Sequence, residues 1–507
     1  MSLRHSWDCR HSWIPAPPLL VLRSMPALPR AASAILGAGL FLTVARPDAS
    51  AQSAQTEPAS SSPGFQEEYK VYTESPRLFL RAQRLRLIRR ERERDSIRWR
   101  QFNLLMAGKA RMAEPGFASA LYFRAGGDAS HARDAGAWAA SAAGTDVRQL
   151  ALVFDWCQEQ LTPAQKSAVI GKLWRAAASS GVSVAEVHAR VLSAIALADA
   201  APNVTESVLR QVVKDWWRGR IAPALKSGGG SAVMRREDTH LLLELLHAIR
   251  DNTNIELRDD ARKWFKDLPT RHLLSHYPAP LSAPENEYRV PVFAGPGEPD
   301  VKGAALSRAA ELMMVAYDAN ALESQFLQGW LIQDRFLLRG TFGISYEFLW
   351  ANPYQPGLSV FKLDPFFHDE AGGTFFVRSS WEEDGEWFGM FDGKMQLFQN
   401  GEVKTLPKDA LSKPLRLGQA TMLSARDGMR FEVDEEEKCR YFLVGLERNA
   451  TYDIEVDDRE LYEARSDGGG VLALTFGEGT KAGVRLKRSG AAENANAGAA
   501  SSANPAR

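Results

Sequence analysis

The sequence contains only three cysteines in 507 residues. Cys9 precedes a predicted cleavage site, so the mature chain keeps Cys157 and Cys439, which lie in segments predicted to form different domains. Secreted domains stabilised by disulfides carry more cysteines at regular spacings. The surrounding segments, "CQEQ" and "EKCR", show no metal-ligand spacing and no nearby histidine. We therefore expect neither a disulfide framework nor a cysteine-based metal site.

The sequence also lacks net charge, common hydrolase motifs and a long apolar run. Lys and Arg together number 62, as do Asp and Glu, so the formal net charge is zero. Nucleic-acid binding needs a basic surface, which makes that partner unexpected. There is no GxSxG and no HExxH motif. The apolar stretch from Ala31 to Ala45 is shorter than the ~18 residues of a membrane span, and no other candidate of that length exists.

The N-terminus has the pattern of an export signal. Starting at Met25, a short basic region ends at Arg30, an apolar stretch follows, and Ala49-Ser50-Ala51 forms a small-x-small cleavage site. We predict that residues 1–51 contain the signal, that the true start is Met25, and that the mature protein is periplasmic or secreted in a bacterium. The alternative is an N-terminal anchor that is not cleaved.

Composition and periodicity divide the remaining chain into four parts. They are a Ser/Ala/Gln/Pro-rich linker (52–75), a helical domain (76–340), a strand-rich domain (341–488) and a tail without large apolar residues (489–507).

The helical domain shows apolar residues at i, i+3, i+4 and i+7. In "VRQLALVFDWCQEQ" one face collects Val147, Leu150, Ala151, Phe154 and Cys157. Further helices are predicted at 184–200, 205–226, 237–250, 257–268, 303–318 and 321–337. Consecutive helix pairs without intervening strands indicate an α/α toroid or solenoid. A Pro/Gly-rich loop at 269–302 interrupts the pattern.

From about Gly357 the hydrophobic period changes to two. Segments such as "GTFFVRSSW", "EWFGMFDGKMQLF" and "RYFLVGL" are separated by DG, NG and GGG turns. This pattern predicts an antiparallel β-sandwich. The fold class is thus α+β multidomain, with an α/α toroid followed by the sandwich.

The helix "RREDTHLLLELLHAIRDN" carries a polar stripe. One face is predicted to hold Arg236, His240, Glu244, His247 and Asp251. Three interpretations stay open at this point: a solvated polar face, a substrate-facing stripe and a metal site.

Two other segments carry candidate chemistry. In the loop "SAPENEYRVPVF", Tyr288 lies beside Arg289, whose charge stabilises a phenolate, so the tyrosine is either an acid–base group or an anchor for the loop. The segment 76–100 has ten arginines and either attracts an acidic polymer or forms a solvated basic helix.

Taken in order, several segments resemble the heparinase II/III-like polysaccharide lyases and their alginate-lyase relatives. The segments are "SPRLFLRAQRLRLIRR", "ALVFDWCQEQLTPAQKSAVIGKLW", "EDTHLLLELLHAIRDN", "PENEYRVPVF" and "GGTFFVRSSWEEDGEWFGMFDG". The resemblance covers roughly residues 76–400, and it is the order of the segments that carries it.

The resemblance implies cleavage of an acidic, uronate-containing polysaccharide by β-elimination, without cofactor or metal. His240, helped by Arg236 or Arg289, would neutralise the uronate carboxylate, and Tyr288 would take the C5 proton. The predicted catalytic residues are therefore Tyr288 and His240, and the predicted substrate-binding residues are Arg236, Glu244, His247, Arg289, His368 and Arg378.

The sequence departs from the family in one place. Where relatives have a His-rich turn after the first strands, "FDGKMQLFQNG" has Lys394 and Gln396, and the nearest histidine is His368. One alternative is therefore a non-catalytic glycan-binding or surface-structural protein on the same scaffold. Another is a toroid glycoside hydrolase with Glu285 and Glu287 as acid and base.

Overall fold

The computed structural model describes residues 67–282, 287–292, 301–334, 337–407, 410–458 and 460–489. The predicted signal region, Glu285 and the tail after Ser489 lie outside the described residues. Helices come first and sheets with mostly antiparallel pairing follow, which confirms the predicted order of a helical domain and a sheet domain. Among the described residues, no helix is both long and apolar enough to cross a membrane.

The helical domain contains the following helices. They are α1 (Ala82–Glu93), α2 (Ile97–Ala107), α3 (Pro115–Arg124), α4 (Ala129–Ala140), α5 (Val147–Cys157), α6 (Pro163–Ala177), α7 (Val184–Ala196), α8 (Pro202–Gln211), α9 (Ala222–Lys226), α10 (Gly230–Val233), α11 (Thr239–Asn252), α12 (Arg262–Leu274), α13 (Val301–Tyr317), α14 (Leu322–Gln333) and α15 (Ile344–Trp350). A π-helical segment, Val212–Ile221, joins α8 to α9.

One series of helices forms the interior of this domain. Helices α3, α5, α7, α11, α13 and α15 contact one another in that order, and α15 also contacts α2 and α3. Helix α4 packs against α3 and α5, helix α6 packs against α5 and α7, and both keep exposed faces. The predicted face of α5 is buried except for the half-buried Val147, and Arg148, Gln149 and Asp155 outside that face are buried as well. Prediction from the apolar face alone therefore underestimates how much of an interior helix is buried.

Several predicted boundaries differ from the structure. The segment 76–100 forms two helices, because Asp95 adopts a positive φ of 48° and Ser96 caps α2 by accepting a hydrogen bond from the Trp99 amide. Helix α12 continues through Pro269 to Leu274, into the predicted loop. Helix α15 lies beyond residue 340 and contacts α2 and α13, so the helical part extends to Trp350.

Residues 67–75, predicted as part of the linker, pack on the helical domain. Tyr69 is buried, and the Tyr72 amide donates to the Asn252 carbonyl. Glu67 forms an ion pair with Arg218. The folded part of the chain therefore begins by residue 67.

A capping box fixes the start of α7. The Ser183 hydroxyl accepts from the Glu186 amide, and the Glu186 carboxylate accepts from the Ser183 amide. We expect Ser183→Ala to lower the free energy of unfolding by about 1 kcal/mol, because the Glu186 amide loses its side-chain acceptor. Chemical denaturation measures this, with Ser167→Ala on the exposed face of α6 as the control that changes it by less than about 0.5 kcal/mol.

The strands form one small hairpin and three larger sheets. They are β1 (Leu281–Ser282), β2 (Glu287–Tyr288), β3 (Phe366–Asp369), β4 (Thr374–Arg378), β5 (Trp387–Phe391), β6 (Lys394–Gln399), β7 (Glu402–Leu406), β8 (Leu415–Leu417), β9 (Ala420–Ser424), β10 (Arg430–Glu435), β11 (Cys439–Val444), β12 (Thr451–Val456), β13 (Glu460–Arg465), β14 (Val471–Phe476) and β15 (Thr480–Arg488). The first sheet has the order β3-β4-β5-β6-β7, the second β14-β11-β9-β8 and the third β10-β15-β12-β13. Strands β9 and β11 pair in parallel, a departure from the predicted antiparallel pattern.

The sheets form three layers. Phe375 on the first sheet meets Phe442 on the second, with ring centroids 4.0 Å apart. On the far side of the second sheet, Tyr441 stacks on Phe431 of the third at 5.7 Å. Both faces of the second sheet are therefore covered, which is why β11 is apolar almost throughout.

The first sheet also packs on the helical domain. Phe376, between Phe375 and Val377, points to the opposite face and packs on Trp387. The Trp387 indole N–H donates to the Leu274 carbonyl at 2.7 Å, and the Tyr277 hydroxyl donates to Gln396 at 2.9 Å. The first sheet thus packs against the end of α12, and Gln396 has a structural partner in the helical domain.

Candidate functional site

A cavity of about 560 Å³ opens where four interior helices begin. Its lining comes from the N-terminal ends of α3, α5, α13 and α15. The lining residues are Ala113, Glu114, Asp146, Gln149, Lys302, Ala305 and residues 338–343. Every one of these belongs to the helical domain. The first sheet therefore does not line this cavity.

Both signs of charge line the cavity. Lys302 and Arg339 are exposed, and Asp146 and Glu114 are the N-cap residues of α5 and α3. Amide groups at the first turn of a helix carry positive partial charge, which favours an anionic ligand. The cavity thus combines two cationic side chains with helix N-termini and two carboxyl groups.

Beneath the cavity lies a buried ion-pair network centred on Arg148 of α5. Its guanidinium donates to both oxygens of Glu244, on α11, at 2.7 and 2.6 Å. A third contact, 3.3 Å long, joins it to Glu114 at the cavity. The Glu244 side chain is 0% exposed, so the pair is shielded from solvent. The network therefore connects the lining of the cavity to the centre of the interior helices.

His188 and Tyr346 complete this network. His188 Nε2 lies 3.0 Å from a Glu244 oxygen, and the Tyr346 hydroxyl donates to Glu114 at 3.1 Å. Burial alone would raise the pKa of Glu244, but the charge and hydrogen bonds of Arg148, with a smaller contribution from His188, hold it below its usual range. Burial raises the pKa of Glu114 against the opposing effect of Arg148. The two carboxyl groups thus differ in their tendency to hold a proton.

His240 lies one helical turn before Glu244 and is 8% exposed. Its Nδ1 is 2.9 Å from the Glu237 carbonyl, which can only accept, so Nδ1 carries the proton of the neutral ring. Nε2 then carries the lone pair of the neutral ring, so it accepts a proton rather than donating one. Burial lowers the pKa of His240 to about 4. At neutral pH this histidine is therefore an uncharged acceptor.

The pKa of His240 makes a prediction about stability. The folded value is about 4 and the ordinary value 6.5, so between these pH values the unfolded chain takes up a proton that the folded protein excludes. The contribution of His240 to the free energy of unfolding is therefore fully present above pH 6.5. Below that pH it falls by up to about 1.4 kcal/mol per pH unit. His240→Gln removes the pH dependence that this histidine causes, so the difference in free energy of unfolding between wild type and variant should change between pH 6.5 and 4. Urea denaturation at stepped pH measures it, and a difference that stays constant over this window contradicts the prediction.

His247 on α11 and Arg236, which precedes this helix, both contact backbone carbonyls. His247 Nε2 lies 3.1 Å from the Met313 carbonyl, and burial lowers the pKa of His247 well below its usual value. Arg236 donates to the carbonyls of Val292 and Ser275. The interpretation of this stripe as a solvated face is wrong for His240, Glu244 and His247, because both sides of α11 are buried among neighbouring helices.

Arg289 and Tyr288 lie in the hairpin between α12 and α13. Tyr288 in β2 pairs with Leu281 in β1, and β2 contacts α13. The Arg289 guanidinium binds Asp334 at 2.6 Å and Glu383 at 2.8 Å. Asp334 also accepts from Arg308, two turns into α13. This arrangement ties the hairpin to the helix whose first residues line the cavity.

The remaining predicted residues lie in the sheet domain. His368 of β3 is 2.7 Å from a carboxylate oxygen of Asp467. Arg378 of β4 donates to the carbonyls of Ser380 and Glu382. The structure thus assigns both residues to contacts within or beside the sheets, and neither lines the cavity.

Sequence reasoning missed several polar residues at these sites. Arg148 and Glu114 were overlooked because Arg148 lies opposite the predicted apolar face of its helix and Glu114 is in a short connection. His272 and His276 are four residues apart, a spacing that signals a shared helix face, but they lay in the segment predicted as a loop.

Comparison with known proteins found similarity only among solved structures. No protein-family model matches the sequence, and no curated protein does. Among solved structures, a chain described as "Glycoside hydrolase" is similar at 7% identity and a TM-score of 0.24, over 68% of this chain and 63% of that one. This chain thus spans less than two thirds of that protein, and a likeness at this TM-score establishes neither fold nor activity.

Proposed function

We propose that the protein is a glycan-processing lyase that binds a uronate-containing polysaccharide in the cavity at the ends of α3, α5, α13 and α15. The observation that carries the proposal is the pairing of Lys302 and Arg339 with helix N-termini around a cavity of about 560 Å³. A uronate carboxylate is an anion, and such groups stabilise it. The proposal agrees with the resemblance of the sequence to heparinase II/III-like lyases.

We further infer that the helical domain is an α/α toroid. The order of contacts from α3 through α15 and back to α3 supports a closed series of interior helices. The cavity at one end of that series is then the mouth of the ring.

The chemistry follows from the acidity of the uronate C5 proton. Neutralising the adjacent carboxylate by Lys302 and Arg339 stabilises the carbanion that forms when this proton is removed. Tyr288 is the base that the resemblance implies. His240 is buried on α11 and is not among the residues that line the cavity, so it is given no part in the proton transfer. The C5–H bond breaks, a C4–C5 double bond forms, and the C4–O bond breaks as its oxygen takes up a proton. The product carries an unsaturated uronide at its new end.

A panel of polyuronates and glycosaminoglycans tests the activity. Unsaturated uronides absorb in the ultraviolet, whereas hydrolysis releases reducing ends without that absorbance. We expect an absorbance increase with an equal number of new reducing ends on at least one acidic glycan. Reducing ends without absorbance would contradict β-elimination.

One observation favours a second candidate function, glycan binding without turnover. Arg236, Glu244 and His247 are engaged in buried contacts, so these predicted substrate-binding groups are not directed at a ligand. A protein that binds one of the glycans of the panel but releases no product from any of them would support this candidate.

Export is proposed from the N-terminal pattern alone. N-terminal sequencing of the protein from the periplasm or medium should begin at Gln52, after the small-x-small site. Recovery from membranes with an intact N-terminus would instead support the uncleaved anchor.

A further inference from the structure

A second buried cluster lies where the end of α12 meets α13. His272 is in the last turn of α12, His276 follows four residues later, and Glu311 projects from α13. All three are buried, and one donor atom from each lies within 4.8 Å of the others. The His272 Nε2 atom is 3.1 Å from a Glu311 oxygen. Two imidazoles and a carboxylate therefore converge in a site enclosed by protein.

His276 is prepared to act as a ligand. Its Nδ1 lies 2.8 Å from the His272 carbonyl, so Nδ1 carries the hydrogen and Nε2 carries a lone pair. The side chain is 4% exposed, and Nε2 has no hydrogen-bond partner in the described part of the chain. Leaving such an atom unsatisfied costs about 1–3 kcal/mol. Metal-bound histidines usually donate their other ring N–H to a carbonyl or carboxylate, which is the arrangement of His276.

The orientation of the Glu311 carboxylate is also fixed, by Arg308. Arg308 donates to its second oxygen at 2.6 Å and to Asp334 at 3.0 Å. Arg308 thus pairs with Asp334 as well as with Glu311. The other carboxylate oxygen of Glu311 faces the histidines. This outer contact fixes the carboxylate as ligating carboxylates are fixed in metal sites.

We propose that His272, His276 and Glu311 bind a divalent transition metal of the zinc class. Two imidazole nitrogens and one carboxylate oxygen are a common zinc donor set, and three protein ligands leave a fourth position for water or another ligand. Bonds of roughly 2.0–2.2 Å to a shared ion bring such donors closer together than 4.8 Å. Small rotations of the side chains achieve this, with His272 exchanging its hydrogen bond to Glu311 for the metal.

The metal would secure the base of the hairpin that contains Tyr288. His276 forms a β-bridge with Pro291, and the Tyr277 amide donates to the Val290 carbonyl at 3.1 Å. The site stands independently of the proposed glycan chemistry, because its residues and its test do not involve a substrate.

Metal affinity of the full chain tests the proposal. The purified protein is stripped with a chelator and titrated with Zn²⁺ in competition with a chromophoric chelator. We expect one zinc per chain with a dissociation constant below about 1 μM. Replacing zinc with Co²⁺ should give the visible absorption bands of a low-coordinate site with nitrogen and oxygen ligands.

Two variants and a control locate the metal. His276→Gln should weaken zinc binding by more than about 100-fold, and Glu311→Gln, nearly the same size, should do so as well. His247→Gln replaces an equally buried histidine elsewhere in the domain and should leave the affinity unchanged. Circular dichroism establishes that each variant is folded. Zinc binding weaker than about 10 μM, or equal binding by wild type and both folded variants, would overturn the proposal.

Discussion

Replacing Arg148 with leucine is expected to lower the free energy of unfolding by about 3–5 kcal/mol. The substitution removes the partner of Glu244, which is 0% exposed and would keep an unpaired charge inside the interior helices. His188 remains near one oxygen only, so it cannot replace both hydrogen bonds. Chemical denaturation monitored by tryptophan fluorescence measures the change.

A double-mutant cycle separates the ion pair from the loss of packing. Arg148→Leu with Glu244→Leu should be more stable than either single variant, because neither Arg148 nor Glu244 is then left as a buried charge without the other. The exposed pair of Arg210 and Glu206 on α8 is the control, where Arg210→Leu should change the free energy of unfolding by less than about 1 kcal/mol. Equal effects of Arg148→Leu and Arg210→Leu would contradict the account of the buried network.

Substituting Tyr288 with phenylalanine is expected to reduce kcat/KM on the cleaved glycan by about 10²–10⁴-fold. The substitution removes only the hydroxyl that takes the C5 proton, so KM should change little. Steady-state kinetics by ultraviolet absorbance measures both quantities.

Tyr277→Phe is the matched control for this variant. It removes a hydroxyl in the same segment, one that donates to Gln396 between the domains. We expect it to cost about 1 kcal/mol of stability without a comparable loss of kcat. If Tyr288→Phe retained full kcat while Tyr277→Phe lost it, the base would have been assigned to the wrong tyrosine.

Local patterns predicted most of the secondary structure. The 3.6-residue period indicated α5 and α7, and the period of two indicated β4, β5 and β6. What the patterns did not reveal is how many layers enclose each element. Phe375 and Phe376 alternate as in a half-buried strand, but one face meets another sheet and the other meets the helices.

The interior of the site depends on contacts between distant parts of the chain. Arg148 and Glu244 are separated by 96 residues. Glu244 was predicted to lie on a solvated, substrate-facing or metal-binding stripe, and Arg148 was not singled out. Periodicity identifies which face of a helix is apolar, but it does not identify a polar residue whose partner lies on another helix. For the same reason Gln396 was compared with an expected histidine, whereas the structure gives it a partner in Tyr277.

Binding of a short polyuronate oligosaccharide tests the central claim, that the cavity at the helix N-termini is the glycan site. Isothermal titration calorimetry would compare wild type with Lys302→Ala, Arg339→Ala and the control Arg175→Ala, which alters an exposed arginine on the outer helix α6. Loss of affinity by about tenfold or more in each of the two cavity variants, with Arg175→Ala unchanged, is the result that the account predicts. Unchanged affinity in both cavity variants would show that the glycan binds elsewhere and would contradict the account.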